Sequence, residues 1–272
     1  EDGLLPPVEE RVGREPVVMT GPDGPGVYGG DWIRIQVGDS PVFWKRMASP
    51  TLLRGNYLGT DYIPHLAKSY TVSEDKKTYT FYLREGVRWS DGEPLTAEDF
   101  VYWWEDANRL GAGSFALEIG GSMGRLEKVD ASTIRFRFPV PNPTFLDHVA
   151  KYEEAFALPE HYLRTFDPDT GDDNKIAELM ELSGAVNRTS LFNQLKDARN
   201  PQLPRLTPWV PRSYRANAPF IHVRNPFYWA VDELGNQLPY MDRVVWNQKQ
   251  QDYLPMTVSQ GGVTFQYRRL ER

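Results

Sequence analysis

Three observations predict an α/β fold in two lobes. Segments with two-residue alternation and segments with helical spacing are interspersed along the 272 residues, without a regular strand–helix–strand repeat. The region from about 45 to 155 reads as a self-contained strand–helix–strand unit set between other strands. Hydrophobic residues make up 40% and charged residues 25%, the composition of a chain that buries a core rather than a disordered one.

The elements follow in order. Residues 1–30 are rich in Pro, Gly and Glu, and Pro6-Pro7, Gly21-Pro22 and Gly24-Pro25-Gly26 predict an extended surface arm without a helix. Gly24 to Gly29 matches the string G-x-G-x-x-G, but it follows a loop and opens a strand. A dinucleotide fingerprint does the reverse, so the match is set aside. The strand Trp32 to Val37 alternates Ile33, Ile35 and Val37 on one predicted buried face. Residues 70–83 predict a hairpin with a polar turn at 73–77, its second strand placing Tyr79, Phe81 and Leu83 on a shared face. Asp91-Gly92 predicts a tight turn.

Thr96-Ala97-Glu98-Asp99 reads as a helix start, a threonine cap followed by acids that the helix dipole favours. Phe100, Trp103, Trp104 and Ala107 continue it at helical spacing, and Gly111 or Gly113 can close it. A strand from Thr133 to Phe138 turns Ile134, Phe136 and Phe138 inward, with Arg135 and Arg137 outward. Residues 144–165 and 172–199 predict mostly helix, with Asp172 as a cap and Ile176, Leu179 and Met180 on one face. Further strands are predicted at 220–224, 244–248 and 263–267.

Composition excludes several chemistries. The formal charge of −6 argues against a nucleic-acid binder, which needs a basic surface to displace counterions. With no cysteine there are no disulfides, thiolate nucleophiles or thiolate metal sites. The four histidines, His65, His148, His161 and His222, show no metal-ligand spacing, and no Gly-x-Ser-x-Gly elbow or Ser-x-x-Lys motif is present. Asp91 and Glu93 could be imagined as a glycosidase pair, but turn geometry explains them more simply. Asp167, Asp169, Asp173 and Glu178 fall on calcium-loop positions, yet the required glycine position holds Asp172. A solvated loop ending in a helix cap is the expectation there. Asn187-Arg188-Thr189 is a formal glycosylation sequon. No apolar run approaches the ~20 residues of a membrane span, and no signal-peptide or lipidation pattern opens the sequence. Any targeting segment is therefore expected outside these residues. What is abundant is aromatic surface, with 8 Trp, 14 Tyr and 13 Phe, which suits a lined binding cleft. No cofactor and no metal is expected.

The segment from Pro64 through Tyr70-Thr71-Val72, Leu83-Arg84-Glu85-Gly86-Val87-Arg88-Trp89-Ser90-Asp91-Gly92 and Leu95-Thr96-Ala97-Glu98-Asp99-Phe100 closely resembles the signature of family 5 extracellular solute-binding proteins. These are the oligopeptide, dipeptide and nickel type receptors of bacterial ABC importers. Tyr28-Gly29-Gly30, Arg224-Asn225-Pro226-Phe227-Tyr228-Trp229 and Gly235-Asn236-Gln237-Leu238-Pro239-Tyr240-Met241-Asp242-Arg243-Val244 are similar to other segments of that family.

The resemblance implies a periplasmic-binding-protein-like fold of class II, in its larger three-domain form. Residues 1–44 and 160–272 would form one lobe of mixed β-sheet with flanking helices, and 45–159 a small inserted α+β domain. Family members run on past this length into a second lobe, so a fragment holding one lobe and half of the cleft is implied, with some edge of its sheet unpaired. The function implied is capture of an oligopeptide or oligosaccharide by closure of two lobes, followed by docking on the ABC permease, by a protein that is periplasmic or extracellular and membrane-anchored. The chain is expected to be a monomer. Position along the family pattern nominates Asp39, Phe43 and Trp44 after the first strand, and Phe115 in a Gly-rich loop. It also nominates Trp209 in a Pro-rich loop, and Gln266 and Tyr267 at the hinge. Trp229 reads as structural. Two alternatives stay open at this point: a glycosidase-like hydrolase, and an interaction module without a small ligand.

Overall fold

The computed structural model describes residues 5–37, 50–109, 117–151, 156–212 and 218–266. The nominated Asp39, Phe43, Trp44, Phe115 and Tyr267 lie outside them, as do the glycines at 111 and 113.

The arm is not wholly extended. Pro7 presets the entry to one helical turn, α1 (Val8–Arg11), whose Glu9 and Glu10 face the positive end of its dipole. The chain then crosses the body as β1 (Val17–Val18). This crossing depends on two glycines. Gly13, at φ 82°, approaches Gly86 so closely that a Cβ would lie 2.8 Å from the Gly86 carbonyl. Beyond it, Arg14 N–H donates to Glu85 O at 3.2 Å and Val17 N–H to Trp229 O at 3.0 Å.

The strand β2 (Asp31–Gln36) follows, then β3 (Leu53–Gly55), β4 (Tyr62–Pro64), β5 (Ala67–Val72) and β6 (Thr78–Leu83). Helix α2 (Ala97–Arg109) precedes β7 (Glu118–Ile119), β8 (Ser122–Met123), β9 (Arg125–Asp130) and β10 (Thr133–Arg137). Helices α3 (Phe145–Lys151), α4 (Glu160–Leu163), α5 (Asp173–Ser183) and α6 (Arg188–Leu195) come next. The remainder is β11 (Trp209–Pro211), β12 (Phe220–Arg224), β13 (Ala230–Val231), β14 (Arg243–Gln248) and α7 (Leu254–Ser259).

Among the described residues, two four-stranded sheets and three two-stranded ones result. The first, in the order β5-β6-β10-β9, is antiparallel throughout and closes within residues 67–137. The second, β11-β12-β14-β2, joins distant parts of the chain, and its β14–β2 pair is parallel. Alternation in β6 and β10 buries Tyr79, Phe81, Leu83, Ile134 and Phe136, as their spacing predicts. Phe145 of α3 closes this core with its ring 4.9 Å from those of Tyr79 and Phe136 and 4.8 Å from Phe138. Each such ring contributes roughly 1.5–3 kcal/mol by leaving water.

Helix α2 starts as its sequence predicts. Thr96 Oγ1 accepts from Glu98 N–H at 3.2 Å, and Asp99 reaches back to Thr96 N–H at 2.9 Å, a reciprocal cap. Asp172 caps α5 by accepting from Asn174 and Lys175, and Gly184 in the left-handed region stops it. The predicted stretch 172–199 is therefore two helices, with Asn187 of the sequon capping the second through Ser190 N–H. In 144–165, α3 and α4 are separated, and Phe156 stands between them at φ 52°.

Other expectations need correction. In β2 the buried residues are Trp32, Arg34 and Ile35, while Ile33 and Val37 are half-buried. A strand covered on both faces does not show simple alternation. The predicted strand at 263–267 is absent among the described residues. Helix α7 and a turn at Gly261 occupy the approach, and Thr264 and Gln266 bond to β2 without a strand being assigned over 263–266. Asp167 is not solvated either. It is buried, accepting from Asp169 N–H at 3.0 Å, Thr170 N–H at 3.1 Å and the Tyr102 hydroxyl at 3.2 Å.

Trp229 joins the two regions. Its wholly buried ring stands edge-on to His65 at 4.7 Å, and its indole N–H donates to Leu206 O at 3.1 Å. Nearby, Gly92 at φ 97° lets the tight turn press against Phe227, where a Cβ would approach the ring to 3.1 Å.

Two predictions follow from this packing. Trp229→Ala should cost about 3–5 kcal/mol in urea unfolding, through the cavity and the lost ring contacts. The second concerns acid. Burial, with the Arg54 charge nearby, pushes His65 down to about 3, and burial with the Arg205 charge pushes His222 down to about 2. The unfolded chain takes up these protons near the ordinary value of 6.5 while the native state refuses them. Stability should therefore fall as pH drops below about 6.5, by up to about 1.4 kcal/mol per pH unit per histidine. His222→Asn should flatten that slope in urea titrations at pH 6.5 to 4.5; an unchanged slope would contradict the assignment.

Candidate functional site

Open sheets bind ligands beyond the carboxyl ends of their parallel strands. In this chain those are the ends of β2 and β14, which run side by side in register from Asp31↔Arg243 to Gln36↔Gln248. The pair is fixed at its start by Arg243, whose Nε and guanidinium NH2 donate to the two Asp31 carboxylate oxygens at 2.7 and 2.6 Å. A two-pronged contact of this kind sets register as well as attraction. At the far end, Lys249 N–H donates to Gln36 O at 3.0 Å, and a 3₁₀ turn, Gln251–Tyr253, leads into α7.

The register lines up side chains across one face. Trp32, Val244 and His222 form one row, and Arg34, Trp246 and Phe220 form the next. Arg34 is buried, and its guanidinium carbon lies 5.5 Å from the Trp32 ring, 5.4 Å from Trp246 and 5.8 Å from Phe265. Ring quadrupoles stabilise a cation held this way by roughly 0.5–2 kcal/mol per contact. Phe265 and Tyr253 remain about half exposed at this end of the sheet. Sequence reasoning missed Arg34. The available signal was a charge sharing a strand face with Trp32, which needs a partner surface once buried.

Of the nominated residues, Trp209 sits in β11, edge-on to Trp32 at 6.0 Å, with its indole N–H donating to Met241 O at 3.2 Å. It packs within the same aromatic group as Trp32 and Trp246. Gln266 lies against β2, where its side-chain oxygen accepts from Ile35 N–H at 3.3 Å and its amide donates to Ile35 O at 3.4 Å. Trp209 and Gln266 thus stand at opposite edges of one sheet, and the other five nominated residues lie outside the described stretches.

In the imagined glycosidase pair, Asp91 is engaged by other groups. Asp91 meets the His161 ring at 2.8 Å and accepts from Glu93 N–H at 3.3 Å. Burial raises the Asp91 carboxyl, but the His161 hydrogen bond and charge outweigh it and hold the group below its ordinary value. Among the described residues, no group of three or more His, Cys, Asp or Glu side chains is placed to hold a metal ion. No helix among them is long and apolar enough to cross a membrane.

A profile described as bacterial extracellular solute-binding proteins, family 5 middle, matches residues 61–265. The periplasmic alpha-galactoside-binding protein of Rhizobium meliloti (strain 1021) is 33% identical over 89% of this chain and 36% of its own length. A solved structure of the oligopeptide-binding protein OppA is 33% identical with a TM-score of 0.89, covering 98% of this chain and 43% of that one. The periplasmic binding protein MelB from Agrobacterium fabrum C58, in complex with stachyose, is 28% identical with a TM-score of 0.73, over 95% of this chain and 40% of that one. The chain thus spans 36% to 43% of the length of these relatives. With well over half of its residues under the family profile, the chain belongs to the bacterial extracellular solute-binding proteins of family 5.

Proposed function

We propose that this chain forms one wall of the ligand cleft in the substrate-binding component of an ABC importer, which captures an oligosaccharide or an oligopeptide by lobe closure. The observation that carries this reading is the parallel β2–β14 pair. Both carboxyl ends reach one side of the sheet, and Thr264 and Gln266 bond to the outer edge of β2. Residues 1–44 and 160–272 would make up the lobe and 45–159 the inserted unit, a division supported by the closure of the antiparallel sheet within 67–137. The opposite wall would correspond to parts of the relatives that this chain does not span. Docking on a permease, as a periplasmic or extracellular membrane-anchored monomer and without catalytic turnover, completes the reading.

Oligosaccharide is the favoured ligand class. The support is the aromatic surface near the strand ends, where Tyr253 and Phe265 keep ring area exposed, together with the similarity to the alpha-galactoside-binding protein and the stachyose complex. Oligopeptide is the second reading, favoured by the equal identity to OppA.

One wall buries only part of a ligand, so affinity should be weak. Saturation-transfer NMR of the 272-residue chain should detect stachyose in the millimolar range and not a trialanine peptide. Transfer to the peptide alone would move the assignment to the second reading. Transfer to neither, micromolar binding by this chain alone, or hydrolysis of stachyose would contradict the proposal.

A further inference from the structure

The antiparallel sheet breaks a pairing rule on its outer face. Arg137 of β10 stands directly opposite Arg125 of β9, and the next row on that face sets Arg135 opposite Glu127. Like charges placed across a strand pair repel and destabilise it. These two rows thus hold three guanidiniums and one carboxylate. Glu127 accepts from Arg137 Nε at 2.7 Å and pairs with Arg125 at 2.9 Å, while Arg135 Nε donates to Thr80 Oγ1 at 3.1 Å. A guanidinium carries several N–H donors, so Glu127 fixes Arg125 and Arg137 in place without exhausting them.

A further cation stands beside them. The Lys77 carbonyl accepts from Phe138 N–H at 2.8 Å, which sets Lys77 next to the end of β10. Lys77, Arg125 and Arg137, with Asp75, Thr78 and Met123, line an open groove of about 440 Å³. Thr78 lies opposite Arg137 in register. The Phe138 ring also lines the groove and lies against the chain at Gly124, where a Cβ would come within 2.6 Å of it. Asp75 accepts from the Ser73 hydroxyl at 2.6 Å and from Lys77 N–H at 3.1 Å, so its charge is engaged within its own turn. Even with Asp75 and Glu127 counted, cations are in excess.

We infer that this groove binds a phosphate monoester. Guanidiniums present forked donors that match phosphate oxygens, and Lys77 adds a point charge. A tetrahedral dianion offers oxygens to Lys77, Arg125 and Arg137 together and offsets the repulsion between the two arginines. A planar carboxylate carries a single charge and reaches fewer of them. The phosphate can belong to a soluble compound or to the headgroup of phosphatidic acid, since both present the same oxygens. The groove lies on the sheet that does not contain β2 and β14, so the inference does not depend on the receptor reading.

The test is an NMR titration of the 15N-labelled chain with glycerol phosphate, at constant ionic strength and neutral pH, where a phosphate monoester is mostly dianionic. Shifts should centre on Lys77, Thr78, Arg125 and Arg137, saturating in the millimolar range because the groove is open to water. Lys77→Gln and Arg125→Gln should each weaken binding by roughly 3–10-fold. Lys128→Gln removes a cation from the other face of β9, where Lys128 pairs with Glu98, and should leave the affinity unchanged. Acetate at matched ionic strength should produce smaller shifts. Vesicles then separate the sources. Flotation with phosphatidic acid vesicles, lost in Arg125→Gln, assigns the lipid headgroup; shifts without flotation assign a soluble compound. No shifts at these residues would overturn the site, and so would an equal loss in Lys128→Gln, which marks diffuse charge. An equal response to acetate would overturn the phosphate assignment.

Discussion

A strand near the start of the chain pairs in parallel with one whose first residue lies 212 positions later, through Asp31 and Arg243. Parallel strands cannot be joined by a tight turn, so the chain after β2 must leave this sheet before it returns through β11 and β12 to β14. The intervening chain does so by building a sheet of its own, β5-β6-β10-β9, closed with local antiparallel connections. The same constraint brings both carboxyl ends of the parallel pair to one side, and a place for a ligand arises from topology before any particular side chain is considered.

The two regions are not loosely tethered. Trp229, Leu206 and Tyr228 share a core with Phe81, Phe136 and Phe145, and the arm is stitched to both through Gly13, Gly86 and Val17. Lys68 adds a contact to Glu15 at 2.9 Å, and Arg84 donates to Glu15 O at 3.1 Å. These exposed or half-exposed charges contribute little by themselves; the buried rings contribute most.

Local patterns in the sequence were legible where one physical cause dominates. Tyr79, Phe81 and Leu83 alternate because one face of β6 meets the core, and Thr96 and Asp172 cap helices because their oxygens reach free backbone N–H groups. Patterns failed where two causes compete. In β2, cover on both faces hides the alternation, and Arg34 is buried because three aromatic rings from different segments converge on it. No window of sequence contains that convergence. Residues 263–267 have strand composition, but the Thr264 and Gln266 side chains also bond to the β2 backbone, and no strand is assigned over 263–266. The turn Val8–Arg11 was obscured by the prolines before it, one of which sets the helix entry. For the candidate site the sequence offered only positions, after the first strand and at the crossover, and most of those residues lie outside the described stretches. What Trp209 and Gln266 touch required the fold.

The central claim is that ligand meets this chain at the carboxyl ends of β2 and β14. The most direct measurement is a backbone NMR titration of the 15N-labelled chain with stachyose, and with trialanine in parallel. The account predicts shift changes confined to Gln36, Gln248 to Tyr253, and Thr264 to Gln266. Changes centred on the β5-β6-β10-β9 sheet, or none with either probe, would contradict it.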